Sequence, residues 1–112
     1  MKKLFISADI EGTCGICHWD EATLGKGEYE QFRQQMTREV SAACEGAFAG
    51  GSDDVFVKDA HDSARNLLPA QLPQNVQIFR GWGSDIHSMM SGIDASFAGA
   101  IFTGYHSPAN FD

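Results

Sequence analysis

The sequence predicts a three-layer α/β domain, a Rossmann-like, mostly parallel sheet with helices on both faces. Two observations carry this. Short unbroken apolar runs, the mark of strands buried on both faces, recur at residues 4–6, 55–57, 76–79 and 100–102. One long helical pattern separates the first two runs, and a helix-length crossover joins parallel strands with right-handed connectivity.

Taken in order, Leu4-Phe5-Ile6 empties through Ser7-Ala8-Asp9 into a polar stretch with Gly12, which reads as a first strand entering a loop. From Gly27 to Phe48, the residues Tyr29, Phe32, Met36, Val40, Ala43 and Ala47 fall three or four apart, with Glu30, Arg33, Gln34 and Glu45 between them. This is an amphipathic helix, and Gly50-Gly51 ends it. Val55-Phe56-Val57 forms a second strand, and the polar stretch 59–68 with Pro69 and Pro73 forms loop and at most a helical turn. Val76 to Phe79 supplies a third strand, residues 84–90 a brief helix capped by Ser84 or Asp85, and Ala100-Ile101-Phe102 a fourth strand running into Gly104-Tyr105-His106. Ser107 to Asp112 follows that strand with no closing helix, so the chain reads as an N-terminal α/β metal-binding domain, residues 1–112, cut from something longer.

Composition narrows the function. Eight Lys and Arg against fifteen Asp and Glu leave a net charge of −7, without the clustered cations that nucleic-acid binding needs. At 112 residues, 43% hydrophobic and 21% charged, the chain can build a core without staples. Asp9 and Glu11 interrupt the opening apolar run too early for a secretory signal, and no stretch has the length and apolarity of a membrane span. Three cysteines, an odd number without an export signal, point to reduced thiols and a cytoplasmic protein.

Ligands of α/β sheets bind beyond the carboxyl ends of the strands. Asp9 and Glu11 follow the first strand, Asp59 and His61 the second, and His106 the fourth. Ser7, Asp9 and Glu11, two apart, can aim together in extended backbone. Each polar residue alone is an ordinary loop residue. Together, two carboxylates converging on one edge repel each other unless a cation joins them, and two carboxylates with two imidazoles suit Zn²⁺ or a similar ion.

Ser7-Ala8-Asp9-Ile10-Glu11-Gly12 resembles the S-x-D-x-E-G opening of the zinc D-aminopeptidases of the dipeptide-transport-operon type. Asp59-Ala60-His61 resembles their D-x-H segment and Gly104-Tyr105-His106 their G-Y-H segment, preceded by a similar run at residues 98–102. The resemblance implies a two-zinc aminopeptidase that removes N-terminal D-amino acids from short peptides. It implies Asp9 as bridging ligand, Glu11, His61 and His106 as further ligands, and a ring-like homo-oligomer enclosing the sites. It also implies another carboxylate ligand and a catalytic histidine downstream of G-Y-H, which no residue here matches.

Cys14-Gly15-Ile16-Cys17-His18 fits the C-x-x-C-H pattern of haem attachment and, without its histidine, of thioredoxin-type redox pairs. Its Gly-containing loop and the missing export signal favour two reduced thiols, and the rival function is a metal- or thiol-based redox module built on Cys14 and Cys17. Cys44 fills the apolar helix face, while His18 and His87 read as ordinary residues. Arg80-Gly81-Trp82-Gly83 lacks the context of a phosphate loop and reads as a tight turn under Trp82. Lys58 is either a charge partner for the acids or a strand residue reaching solvent.

Overall fold

A computed structural model describes residues 2–83 and 87–107. The four expected strands form one sheet in the order β3-β2-β1-β4, with β1 at Lys3–Ala8, β2 at Asp54–Asp59, β3 at Val76–Phe79 and β4 at Gly99–Thr103. All three pairings are parallel. The chain therefore starts in the middle of the sheet, which buries Phe5, Ile6, Ser7 and Ala8 completely.

Helix α1, Tyr29–Ala49, crosses one face and stops before Gly50-Gly51. Its inward stripe of Met36, Val40 and Cys44 packs on Ile6, Ala8, Val55 and Val57, the residues of β1 and β2 that point to that side. Alternation sends Phe5 and Phe56 to the opposite face. There they stack with ring centroids 5.4 Å apart, and Phe97 closes edge-on over both.

Phe5 and Phe56 belong to the second face of the sheet. Among the described residues it carries Phe97 and a 3-10 turn, Ser88–Met90, while the brief helix expected from residue 84 falls partly on 84–86, outside the described residues. Two other 3-10 turns precede α1 and β3, at Trp19–Ala22 and Pro69–Gln71. The first was not apparent in the sequence. His18 caps it, its Nδ1 accepting from the Asp20 amide at 3.0 Å, and Glu21 Oε1 accepts from the amides of Cys17 and His18 at 2.8 Å each. A histidine and a glutamate thus do what Ser and Glu do in an ordinary capping box.

Strand β4 is the open side of the sheet. Ile101, Phe102 and Tyr105 are exposed, and Phe102 and Tyr105 meet edge to face at 5.2 Å. No helix among the described residues is long and apolar enough to cross a membrane.

Candidate metal centre

The loops leaving β1 and β4 are joined backbone to backbone. The amide of Asp9 donates to Thr103 O at 2.9 Å, and that of Gly12 to Gly104 O at 2.7 Å. Neither glycine tolerates a side chain. A Cβ on Gly104, whose φ is +65°, would lie 2.1 Å from Asp9 O, and one on Gly12 would lie 2.3 Å from Tyr105 O. This junction holds Asp9 and Glu11 beside the segment that ends in His106.

Strand β2 delivers the remaining histidine through a braced loop. Asp59, fully buried, accepts from the amides of Asn66 and Leu67 at 2.7 Å each and from the Asn66 side chain at 2.9 Å. The Asn66 side-chain Nδ2 also donates to His61 O at 2.7 Å, and Asn66 Oδ1 accepts from the Tyr29 hydroxyl at 2.6 Å. Asp59 is thus saturated by donors of its own loop, and the loop it shapes presents His61.

His61 Nδ1 lies 3.1 Å from Asp9 Oδ1 and 3.2 Å from Glu11 Oε1, and one ligand atom from each of these residues falls within 4.8 Å of the others. The far ring nitrogen, Nε2, sits 2.6 Å from Ala22 O. A carbonyl only accepts, so Nε2 carries a hydrogen. In a neutral ring Nδ1 then turns its lone pair toward two carboxylate oxygens, an arrangement that calls for a proton or a metal ion between them. Glu11 Oε1 is buried without a hydrogen-bond partner, which a cation at this point would supply. A metal-binding histidine commonly donates its other N–H to a backbone carbonyl, as His61 does to Ala22. The residues present fit a zinc ion.

Proton affinities in the cluster follow from the same contacts. Burial disfavours the His61 cation, but the Asp9 and Glu11 oxygens beside Nδ1 and the Ala22 carbonyl at Nε2 outweigh it and lift the pKa to about 10. Burial also resists charge on Glu11, yet the neighbouring His61 and Asp9 draw it down to about 2. Asp9, the more buried acid, moves upward through desolvation, with Glu11 contributing in the same direction.

Of the four expected ligands, three therefore converge and the fourth stands at the rim. His106 is half exposed, its Nε2 is 3.9 Å from Glu11 Oε2, and its Nδ1 contacts Ser107 O at 2.7 Å. Ser7 does not join the acids. It is fully buried, with Oγ 2.7 Å from Met89 O and 2.6 Å from the Tyr105 hydroxyl, and it braces the ends of β1 and β4. Lys58 does not reach solvent. Buried on the second face, its ammonium donates to Asp59 O and Gly81 O at 2.6 Å each and lies over the rings of Phe79 and Trp82. Trp82 itself donates from Nε1 to Asp62 O at 2.5 Å, which ties its segment to the loop after β2.

A family profile described as D-aminopeptidase, peptidase M55, matches residues 1–112. The chain belongs to the D-aminopeptidase family. A D-aminopeptidase of Bacillus subtilis (strain 168) is 36% identical over 110 residues, covering 96% of this chain and 39% of the relative. The solved structure of the zinc-dependent D-aminopeptidase DppA from Bacillus subtilis, described as a self-compartmentalizing protease, superposes with a TM-score of 0.92 at 35% identity. That match covers 97% of this chain and 39% of the solved chain. The chain thus spans about two-fifths of the length of these relatives.

Membership in the D-aminopeptidase family leaves the cysteine pair outside the chemistry the relatives are named for. Cys14 and Cys17 are exposed free thiols, His18 is engaged as a helix cap, and Cys44 is buried on α1, where desolvation lifts its pKa to about 11. The residues that sequence reasoning missed are those that orient others: Asn66 and Tyr29, which brace the His61 loop, and Ala22, which contributes a carbonyl. Nothing in their type signals a site. The nearest signal is Asp59 itself, two positions before His61.

Proposed function

We propose that this chain is the metal-binding portion of a longer D-aminopeptidase that cleaves N-terminal D-residues from short peptides, with two zinc ions held by Asp9, Glu11, His61 and His106. The convergence of Asp9, Glu11 and His61 around an unpartnered Glu11 Oε1 carries this reading. Zinc in such a site polarises a carbonyl and lowers the pKa of a bound water.

The chain's own residues supply the frame. His61 offers Nδ1 while its other nitrogen stays fixed on Ala22 O, so the ring cannot swing out of the cluster. Glu11 faces His61 with Oε1 and His106 with Oε2, which spreads one carboxylate between two imidazoles. Asp9, with Oδ1 held by the Ile10 amide at 2.8 Å, is the bridging ligand in this proposal. A basin of about 630 Å³ opens over these groups between Trp19 and Trp82, wide enough for the end of a peptide. The zinc dependence of DppA, the likeness at TM-score 0.92 and the exposed apolar surface of β4 support a zinc enzyme whose open edge is covered by further chain or by other subunits of a ring-like homo-oligomer.

Calorimetric zinc titration of the wild-type chain and of Asp9→Ala, Glu11→Ala, His61→Ala and His106→Ala tests the ligand set. The expected result is that Asp9→Ala weakens binding most, by about a hundredfold or more, since a bridging ligand serves both ions. A larger loss for Glu11→Ala would move the bridge to Glu11. Wild-type affinity in all four variants would remove the metal site.

A further inference from the structure

Beside the acid cluster lies a second, smaller cavity that the proposed metal chemistry does not use. It holds about 260 Å³ and is lined by Glu11, Ile16, Cys17, His18, Trp19 and Ala22. Its floor is firm, since Ala22 is 2% exposed and Ile16 packs against the core around α1. Its walls are fixed from outside, because Glu21 holds the amides of Cys17 and His18, and Thr23 Oγ1 donates to Trp19 O at 2.8 Å. This cavity is preformed, not a gap between loose side chains.

Ala22 ties the cavity to the metal centre. Its carbonyl contacts His61 Nε2 and the residue also lines the cavity, so the two sites share one residue of the 3-10 turn. Trp19 is 68% exposed and lines both this cavity and the larger basin over the acids. Drug-sized ligands occupy roughly 300–1,000 Å³. A smaller apolar cavity opening onto a cluster of polar groups fits a single side chain whose backbone sits on that cluster.

We propose that the apolar cavity formed by Ile16, Cys17, Trp19 and Ala22 receives the side chain of the substrate's N-terminal residue and selects uncharged, apolar D-residues larger than alanine. The inference rests on the D-aminopeptidase reading and adds a specificity site to it. It also gives Cys17 a use in its thiol form: a small apolar wall whose bulk sets the depth of the cavity. Each carbon of a side chain that reaches such a wall contributes to discrimination, and a difference of several carbons is worth about tenfold or more.

The test is methyl and indole NMR of the zinc-loaded chain titrated with D-alaninamide and D-leucinamide, beside the variants Cys17→Phe and Trp19→Ala, both at exposed positions. D-leucinamide should shift the Ile16 and Ala22 methyls and the Trp19 indole, and bind about tenfold more tightly than D-alaninamide. Cys17→Phe should collapse that ratio toward one, and Trp19→Ala should reduce it, with the zinc-dependent His61 signals showing in each variant that the fold and metal site persist. If both amides shift His61 but leave the cavity signals unmoved and bind equally, the specificity site is refuted while the aminopeptidase reading stands. If neither amide perturbs His61 in the zinc-loaded chain, both are refuted.

Discussion

Two aspartates at neighbouring strand ends show how differently this molecule treats a buried carboxylate. Asp59 closes β2 and Asp9 follows β1 by one residue, and both are buried. Asp59 is saturated by two amides and a carboxamide of its own loop. Asp9 takes one adjacent amide and otherwise faces His61 and Glu11. The first carboxylate is a strut and the second is available to bind. What separates them is the supply of N–H donors, and that supply comes from residues 66 and 67 in one loop and has no counterpart in the other.

Removing each acid should give opposite outcomes. Asp59→Ala strands the amides of Asn66 and Leu67 and should cost about 3 kcal/mol or more, read as a lowered midpoint in urea unfolding. Asp9→Asn, unfolded in the same way without zinc, should stay within about 1 kcal/mol of wild type, because its remaining oxygen still accepts from the Ile10 amide, and relief of the charge held beside Glu11 offsets the weaker attraction to His61. Equal destabilisation by the two changes would erase the distinction.

A smaller effect probes how far the strut extends. Tyr29→Phe removes the 2.6 Å bond to Asn66 Oδ1 and should cost about 1 kcal/mol of stability while leaving zinc affinity within about twofold. A large loss of zinc affinity would mean that the His61 loop depends on α1 as much as on Asp59.

An effect that appears only at alkaline pH concerns an ionisable group with neither strut nor ligand role. Burial, with Glu45 adding to it, lifts Cys44 from 9.0 to about 11. Its folded value lies above the unfolded one, so the contribution is fully present below pH 9 and is lost as pH rises toward about 11. Between pH 8 and 11 the wild type should therefore lose more stability than Cys44→Ala, by about 2 kcal/mol at most. Parallel pH profiles would show that the thiol does not ionise at the expense of the fold.

Much of the fold was legible because it follows from local pattern. The stripe from Tyr29 to Ala47 and the apolar runs at β1, β2, β3 and β4 state their own periodicity, and the structure keeps each of them. The parallel pairing of β1 with β2 was legible from the helix between them. The composition of the second face was not, because a ring such as Phe97 in a loop carries no periodic signal. In the candidate site, the residue types at strand exits brought out Asp9, Glu11 and His61, which do converge. The alternation rule that aimed Ser7 with them took no account of its partners on the second face, where Met89 and Tyr105 engage it. Asp59 could not be told from a ligand, since its donors become visible only once the loop has closed on it.

The junction between the exits of β1 and β4 has a consequence for the order in which the molecule assembles. β1, α1 and β2 are contiguous in sequence and can pair while the chain is still being synthesised. Asp9, Glu11 and His61 are then already present, but the backbone that aligns the acids is held by Thr103 and Gly104, near the other end of the described chain. Until β4 pairs with β1, the loop that carries the acids lacks this tether. A nascent chain that has not yet delivered β4 therefore holds Asp9 and Glu11 on an untethered loop, and the cluster is aligned only when β4 docks.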